Sequence, residues 1–159
     1  MSSLKINDKA PDFSLRDKDG KLHSLKSIKS KYTIIYFYPK DNTPGCTREA
    51  IGFANYIPKF SSLNTKVIGI SGGDNETKKK FCEKHNLKIT LLSDPDFKVS
   101  KKYKVYQHKS FAGKHFLGIV RTTYVLDQNK KIIKIYSKVK PEIHPEEVLN
   151  FIKTLENIQ

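Results

Sequence analysis

The clearest block in the hydrophobic pattern is Thr33-Ile34-Ile35-Tyr36-Phe37-Tyr38, a β-branched and aromatic run stopped by Pro39. An unbroken run of this kind predicts a strand buried on both faces. After a loop from Lys40 to Thr43, a helical pattern extends from about Pro44 to Phe60, followed by the apolar strand Val67-Ile68-Gly69-Ile70. Strand, helix and strand at this spacing imply a right-handed βαβ unit with parallel strands. A further helix is expected over Asn75–His85 and a strand over Ile89–Leu92.

Later in the chain, Thr122–Leu126 and Lys131–Tyr136 flank the turn residues Asp127-Gln128-Asn129, which predicts a hairpin. The segment Pro145–Ile158 puts Val148, Ile152 and Leu155 on one helical face, suited to packing on a sheet. Upstream, Asp17-Lys18-Asp19-Gly20 between Phe13–Leu15 and Leu22–Ser24 predicts a small N-terminal hairpin. The Gln107–Gly118 segment, with Phe111, Gly113 and Phe116, reads either as a flap or as a plain surface loop. With no repeats or linkers, residues 1–159 are expected to form one domain. The class is α/β: a thioredoxin-like fold, with a central mixed sheet flanked by helices and an N-terminal hairpin extension.

Charge changes this picture little. The net charge is +14, which raises the alternative of a basic, non-enzymatic nucleic-acid or partner-binding module. The positive charge is nearly all lysine, spread along the chain, and the densest run, Lys78-Lys79-Lys80, is expected on one solvated helix face. Phosphate readers favour the planar fork of arginine, and only Arg16, Arg48 and Arg121 occur. No dedicated nucleic-acid binding is therefore expected.

No apolar run approaches the roughly 20 residues needed to cross a bilayer. Met1–Lys9 lacks the apolar stretch of a secretory leader, and two cysteines without a paired framework suit a reducing compartment, so a cytoplasmic location is expected. Cys82 and His85 have a C-x₂-H spacing, with His108 and His115 further on, but nothing completes a four-ligand set and no metal is expected. Gly72-Gly73 lacks the surroundings of a phosphate loop, and no cofactor is implied.

The chemistry concentrates in Pro39-Lys40-Asp41-Asn42-Thr43-Pro44-Gly45-Cys46-Thr47-Arg48-Glu49. Thr43 is a good N-cap and Pro44 a natural first helical residue, which places Cys46 at the third. A thiol there faces free backbone N–H groups and the positive helix end, and both favour the nucleophilic thiolate. The strand-loop-helix context should also expose the sulfur at the carboxyl end of a central strand, where open α/β sheets bind their ligands. The scarcity of arginine hints that Arg121, at the start of a core strand, sits where fork geometry matters. Arg48 is a lesser candidate, and Arg16 reads as a surface charge.

These residues resemble the peroxiredoxin family. Pro39, Thr43 and Cys46 match its Pro-x-x-x-Thr-x-x-Cys signature, and the longer string Tyr36–Ala50 is similar to the bacterioferritin comigratory, or Q-type, subgroup. Ala10-Pro11-Asp12-Phe13 matches the family's opening, and Gly118–Asp127 its late arginine motif. The resemblance implies a thiol peroxidase acting on hydrogen peroxide and organic hydroperoxides. In it Cys46 is the peroxidatic residue, Thr43 hydrogen-bonds the substrate oxygen, Arg121 keeps the thiolate charged and steadies the oxyanion, and Pro39 shields the pocket. It also implies thioredoxin or a similar thiol as reductant, and leans towards a monomer.

Many subgroup members carry a resolving cysteine five positions after the peroxidatic one, where this chain has Ile51. Others use a cysteine in the following helix, which here would be Cys82. That helix has few apolar anchors beyond Phe81 and Cys82 and should be loosely attached. The alternative is a one-cysteine enzyme resolved by an external thiol. A disulfide reductase of the same fold would need the C-x-x-C motif that this chain lacks.

Overall fold

A computed structural model describes residues 3–157. Met1 and Ser2, the start of the segment read above as lacking a leader, lie outside the described residues. So does Ile158, the expected last residue of the terminal helix, and so does the Phe111 side chain.

The apolar run forms β3 (Tyr32–Phe37), which is buried throughout. It pairs in parallel with β4 (Thr65–Ser71) and antiparallel with β8 (Thr122–Leu126). The sheet continues through β5 (Thr90–Ser93), parallel to β4, and through β9 (Ile132–Ser137), antiparallel to β8. The predicted N-terminal hairpin, β1 (Ser14–Arg16) and β2 (Leu22–Ser24), extends this sheet through an Arg16–Ser93 pair. The strand order is β2-β1-β5-β4-β3-β8-β9. This is the mixed sheet flanked by helices that the pattern called for.

Because strand side chains alternate, the two faces of β3 feed two cores. Ile34 and Tyr36 join Phe53 and Phe60 of α1 (Pro44–Ser62), Phe81 and Cys82 of α2 (Asn75–His85), and Val148 and Ile152 of α4 (His144–Asn157). Ile35 and Phe37 face the opposite cluster, with Ile68, Leu92, Tyr103 and Tyr124. Val99 of α3 (Lys98–Lys102) belongs to that second layer.

Three features depart from the sequence reading. The Gln107–Gly118 segment is a hairpin of its own, β6 (Tyr106–Phe111) and β7 (Lys114–Ile119), outside the main sheet. The Lys78–Lys80 run is not one solvated face, for Lys78 has no exposed surface and only Lys79 and Lys80 face outward. The same side chain gives α2 an anchor beyond the expected Phe81 and Cys82, in ion-pair contact with Asp41.

Candidate active site

Sheet register creates the site. Phe37 at the end of β3 lies opposite Thr122 at the start of β8, so Arg121 arrives beside the carboxyl end of β3, where the chain turns into α1. Arg121 Nη2 lies 3.1 Å from Cys46 Sγ, and Nη1 lies 3.2 Å from Glu49 Oε1. One planar guanidinium thus holds a sulfur and a carboxylate together, a geometry that a point charge such as lysine cannot reproduce. Gly45 makes room for it, since a Cβ there would sit 2.8 Å from Arg121 Nη2.

Cys46 is not exposed as the sequence reading expected. It is 1% exposed and packs with Tyr36 and Phe53 in the α1-side core. The Arg121 guanidinium meets the sulfur inside this buried setting.

Thr43 occupies the N-cap position, but it does not cap the helix with its side chain. Its hydroxyl instead donates to the Lys40 carbonyl at 3.0 Å, closing the loop on itself. The backbone still starts the helix, with Thr47 N–H donating to the Thr43 carbonyl at 2.8 Å. The N–H groups of Gly45 and Cys46 therefore lack both an intrahelical acceptor and a side-chain cap. Pro39 stands half-buried just past β3, at the head of that loop.

Glu49 was not singled out from the sequence, although it follows Cys46 by three positions and so shares its helix face. It has no exposed surface, and its Oε2 has no hydrogen-bond partner among the described residues. Burial raises its carboxyl to about 7, against the opposing pull of Arg121. Tyr36 stands nearby, its phenol kept neutral chiefly by burial and then by the charges of Glu49, Cys46 and Cys82.

Cys82 lies on α2 in the same core cluster, and both cysteines are free thiols. Burial pushes the Cys82 thiol up. Lys109 of the β6–β7 hairpin donates to the Ile119 carbonyl at 2.9 Å and is pushed down, first by burial and then by the like charge of Arg121. Arg48 points away, in an exposed pair with Glu142 at 3.3 Å, and Arg16 is exposed and donates to the Gly20 carbonyl.

Comparison with known proteins shows the family. Residues 6–135 match the model of the AhpC/TSA family. The chain is 39% identical to the peroxiredoxin Bcp of Bacillus subtilis over 96% of its own length and 98% of that protein's. The peroxiredoxin Bcp of Escherichia coli shows the same identity and coverage. Among solved structures, Xanthomonas campestris bacterioferritin comigratory protein, studied for its alkyl peroxide reduction, superposes with a TM-score of 0.84. Its identity is 31%, over 89% of this chain and 90% of that one. A mutant of Xylella fastidiosa PrxQ superposes with a TM-score of 0.92 at 29% identity, over 98% and 99% of the two chains.

Proposed function

Since the chain belongs to the AhpC/TSA family and is a peroxiredoxin, an enzyme that reduces peroxides at the expense of thiols, we propose that Cys46 is its nucleophile and Cys82 its resolving partner. The observation that carries the reading is the 3.1 Å contact between Arg121 Nη2 and Cys46 Sγ at the start of α1.

The Cys46 thiolate attacks one oxygen of hydrogen peroxide or an organic hydroperoxide. The O–O bond breaks, the leaving oxygen departs with a proton as water or alcohol, and the sulfur becomes a sulfenic acid. Arg121 stabilises the thiolate and then the charge on the departing oxygen, with the Gly45 and Cys46 N–H groups as further donors. Pro39 and the Thr43–Lys40 hydrogen bond hold the loop that walls the site, and rotation of the Thr43 hydroxyl would offer a donor to the bound peroxide. The Cys82 thiolate next attacks the sulfenic sulfur, forming a disulfide and expelling the oxygen as water. Thioredoxin or a similar dithiol then reduces the disulfide by exchange. The described chain acts as a single domain and a monomer in the cytosol, and no helix of the described residues is long and apolar enough to cross a membrane.

Cys46→Ser is expected to abolish peroxide consumption, and turnover of hydrogen peroxide by that variant with thioredoxin would overturn the assignment. Intact mass after one equivalent of peroxide should show loss of two hydrogens, and that loss should vanish in Cys82→Ser. A lasting sulfenic acid in the unmodified chain would mean that an external thiol completes the cycle.

A further inference from the structure

A second polar cluster joins the Cys46 loop to the Cys82 helix, and the cycle above makes no use of it. Lys78 sits one turn before Cys82 on the buried face of α2. Its Nζ donates to Ser71 Oγ at 2.6 Å and to Asp41 Oδ2 at 3.2 Å, with the Gly73 carbonyl further off at 3.4 Å. The other Asp41 oxygen accepts a 2.5 Å hydrogen bond from the Tyr38 hydroxyl. Neither the Lys78 nor the Asp41 side chain has any exposed surface. Asp41 belongs to the loop that leads into Cys46, so the ion pair links the two cysteine-bearing segments. A surface hydrogen bond repeats the link, with His85 Nε2 3.0 Å from Asn42 Oδ1. The two ties straddle Cys82, one on either side of it along α2.

Elsewhere this helix is weakly held. Phe81 and Cys82 are its buried apolar side chains, and Cys82 borders a cavity of about 360 Å³ walled also by Ile57, Lys66 and Leu87. A buried ion pair adds little net stability, but half of one is strongly unfavourable. The link is therefore all-or-none: both charges are met inside, or both are released to water with α2 undocked. Disulfide formation needs Cα atoms within about 7 Å, and Cys46 and Cys82 are free thiols on separate helices, α1 and α2.

We propose that the Lys78–Asp41 ion pair is the latch that keeps Cys82 from oxidised Cys46, and so sets the competition between disulfide formation and further oxidation. The inference rests on Cys82 being the resolving residue. While the latch is closed, Cys82 does not reach the Cys46 sulfenic acid, which stays open to a second peroxide. That oxygen transfer gives a sulfinic acid and releases water or alcohol. When it opens, Cys82 gains both water and reach, and the S–S bond forms with loss of water. Lys78 and Asp41 are positioning residues here, acting through the docking of α2.

The experiment exposes the pre-reduced full chain to graded hydrogen peroxide, with no reductant present, and reads Cys46 by intact mass. The disulfide and the sulfinic acid come from one sulfenic precursor, so their ratio reports access of Cys82 independently of how fast that precursor forms. Lys78→Met is expected to raise the peroxide concentration giving half sulfinic acid by about tenfold, as local opening becomes easier. Asp41→Asn should act in the same direction, and the double variant should shift it no further than the larger single change. His85→Ala, which removes the surface tie and an edge contact with the Phe81 ring, should fold normally and move the ratio the same way by a smaller factor. It keeps the proposal testable if Lys78→Met fails to fold. An unchanged or lowered disulfide share in His85→Ala and in every folded latch variant overturns the latch. Absence of any Cys46–Cys82 disulfide in the unmodified chain overturns instead the assignment of Cys82.

Discussion

Replacing Arg121 by methionine tests the centre of the mechanism. The change keeps much of the apolar stem but removes one donor 3.1 Å from the Cys46 sulfur and another 3.2 Å from Glu49. A hydrogen bond to a charged group contributes about 1.5–3 kcal/mol. Loss of one donor to a developing oxyanion costs about 10²–10³ in rate. The expected fall in the second-order rate constant with peroxide is therefore about 10²–10³, and Arg121→Lys should retain part of the rate because a cation remains without the fork. The fold should survive, because Arg121 is 19% exposed and Glu49, already raised to about 7 by burial, is neutralised once its partner is gone. The assay is competition for hydrogen peroxide against a peroxidase of known rate, in a Cys82→Ser background that isolates the first step. Thiolate content, followed at 240 nm across pH, should fall in parallel. If folded Arg121→Met reacted within about threefold of its parent, a difference of only ~0.7 kcal/mol, the guanidinium would have no part in activating Cys46.

The other expectations are simpler. Since Glu49 holds its proton more tightly folded than unfolded, its contribution to stability is complete below about pH 4.5 and is lost as pH rises through about 7. Glu49→Gln should flatten a slope of at most about 3 kcal/mol across that window in denaturant titrations, and an equal slope in both proteins would refute the assignment. Tyr36→Phe removes a buried hydroxyl that has no partner among the described residues, so stability should be unchanged or higher by about 1 kcal/mol. A loss above that size would reveal a bond to the hydroxyl. At Gly45, alanine would push its Cβ into Arg121, so peroxide reactivity should drop by about tenfold or more with a melting point close to the parent's. Gly69→Ala, whose Cβ would fall 2.6 Å from the Tyr36 ring and 2.7 Å from Leu91, should destabilise the sheet by about 1–3 kcal/mol.

Much of this was legible from residue order because local pattern and chemistry coincide. The β-branched run of β3, its stop at Pro39 and the Thr-Pro pair that opens α1 are local signals, and they locate Cys46. Arg121 was found by motif and by its rarity in a lysine-rich chain. Lys78 was missed because a lysine inside a run of three reads as solvent-facing, while its partner Asp41 lies 37 residues away and meets it only across the fold. Glu49 hid among helix-forming residues, its burial fixed by an arginine 72 positions later. The β6–β7 hairpin gave no alternating signal, since Lys114–Leu117 are all exposed, and α3 is too short for a helical period. The burial of Cys46 also escaped a local reading, because the core cluster it joins draws on β3, α2 and α4 as well as its own helix.

Cys46 and the Arg121 guanidinium are 75 residues apart in sequence, and they meet only where β8 aligns antiparallel with β3. During synthesis Cys46 leaves the ribosome long before Arg121 has been polymerised. The emerging thiol is then an ordinary one, without the cation that would make it quick to oxidise. With Cys46 as the proposed nucleophile, reactivity toward peroxide would switch on with completion of the sheet, sparing an unfinished chain that chemistry.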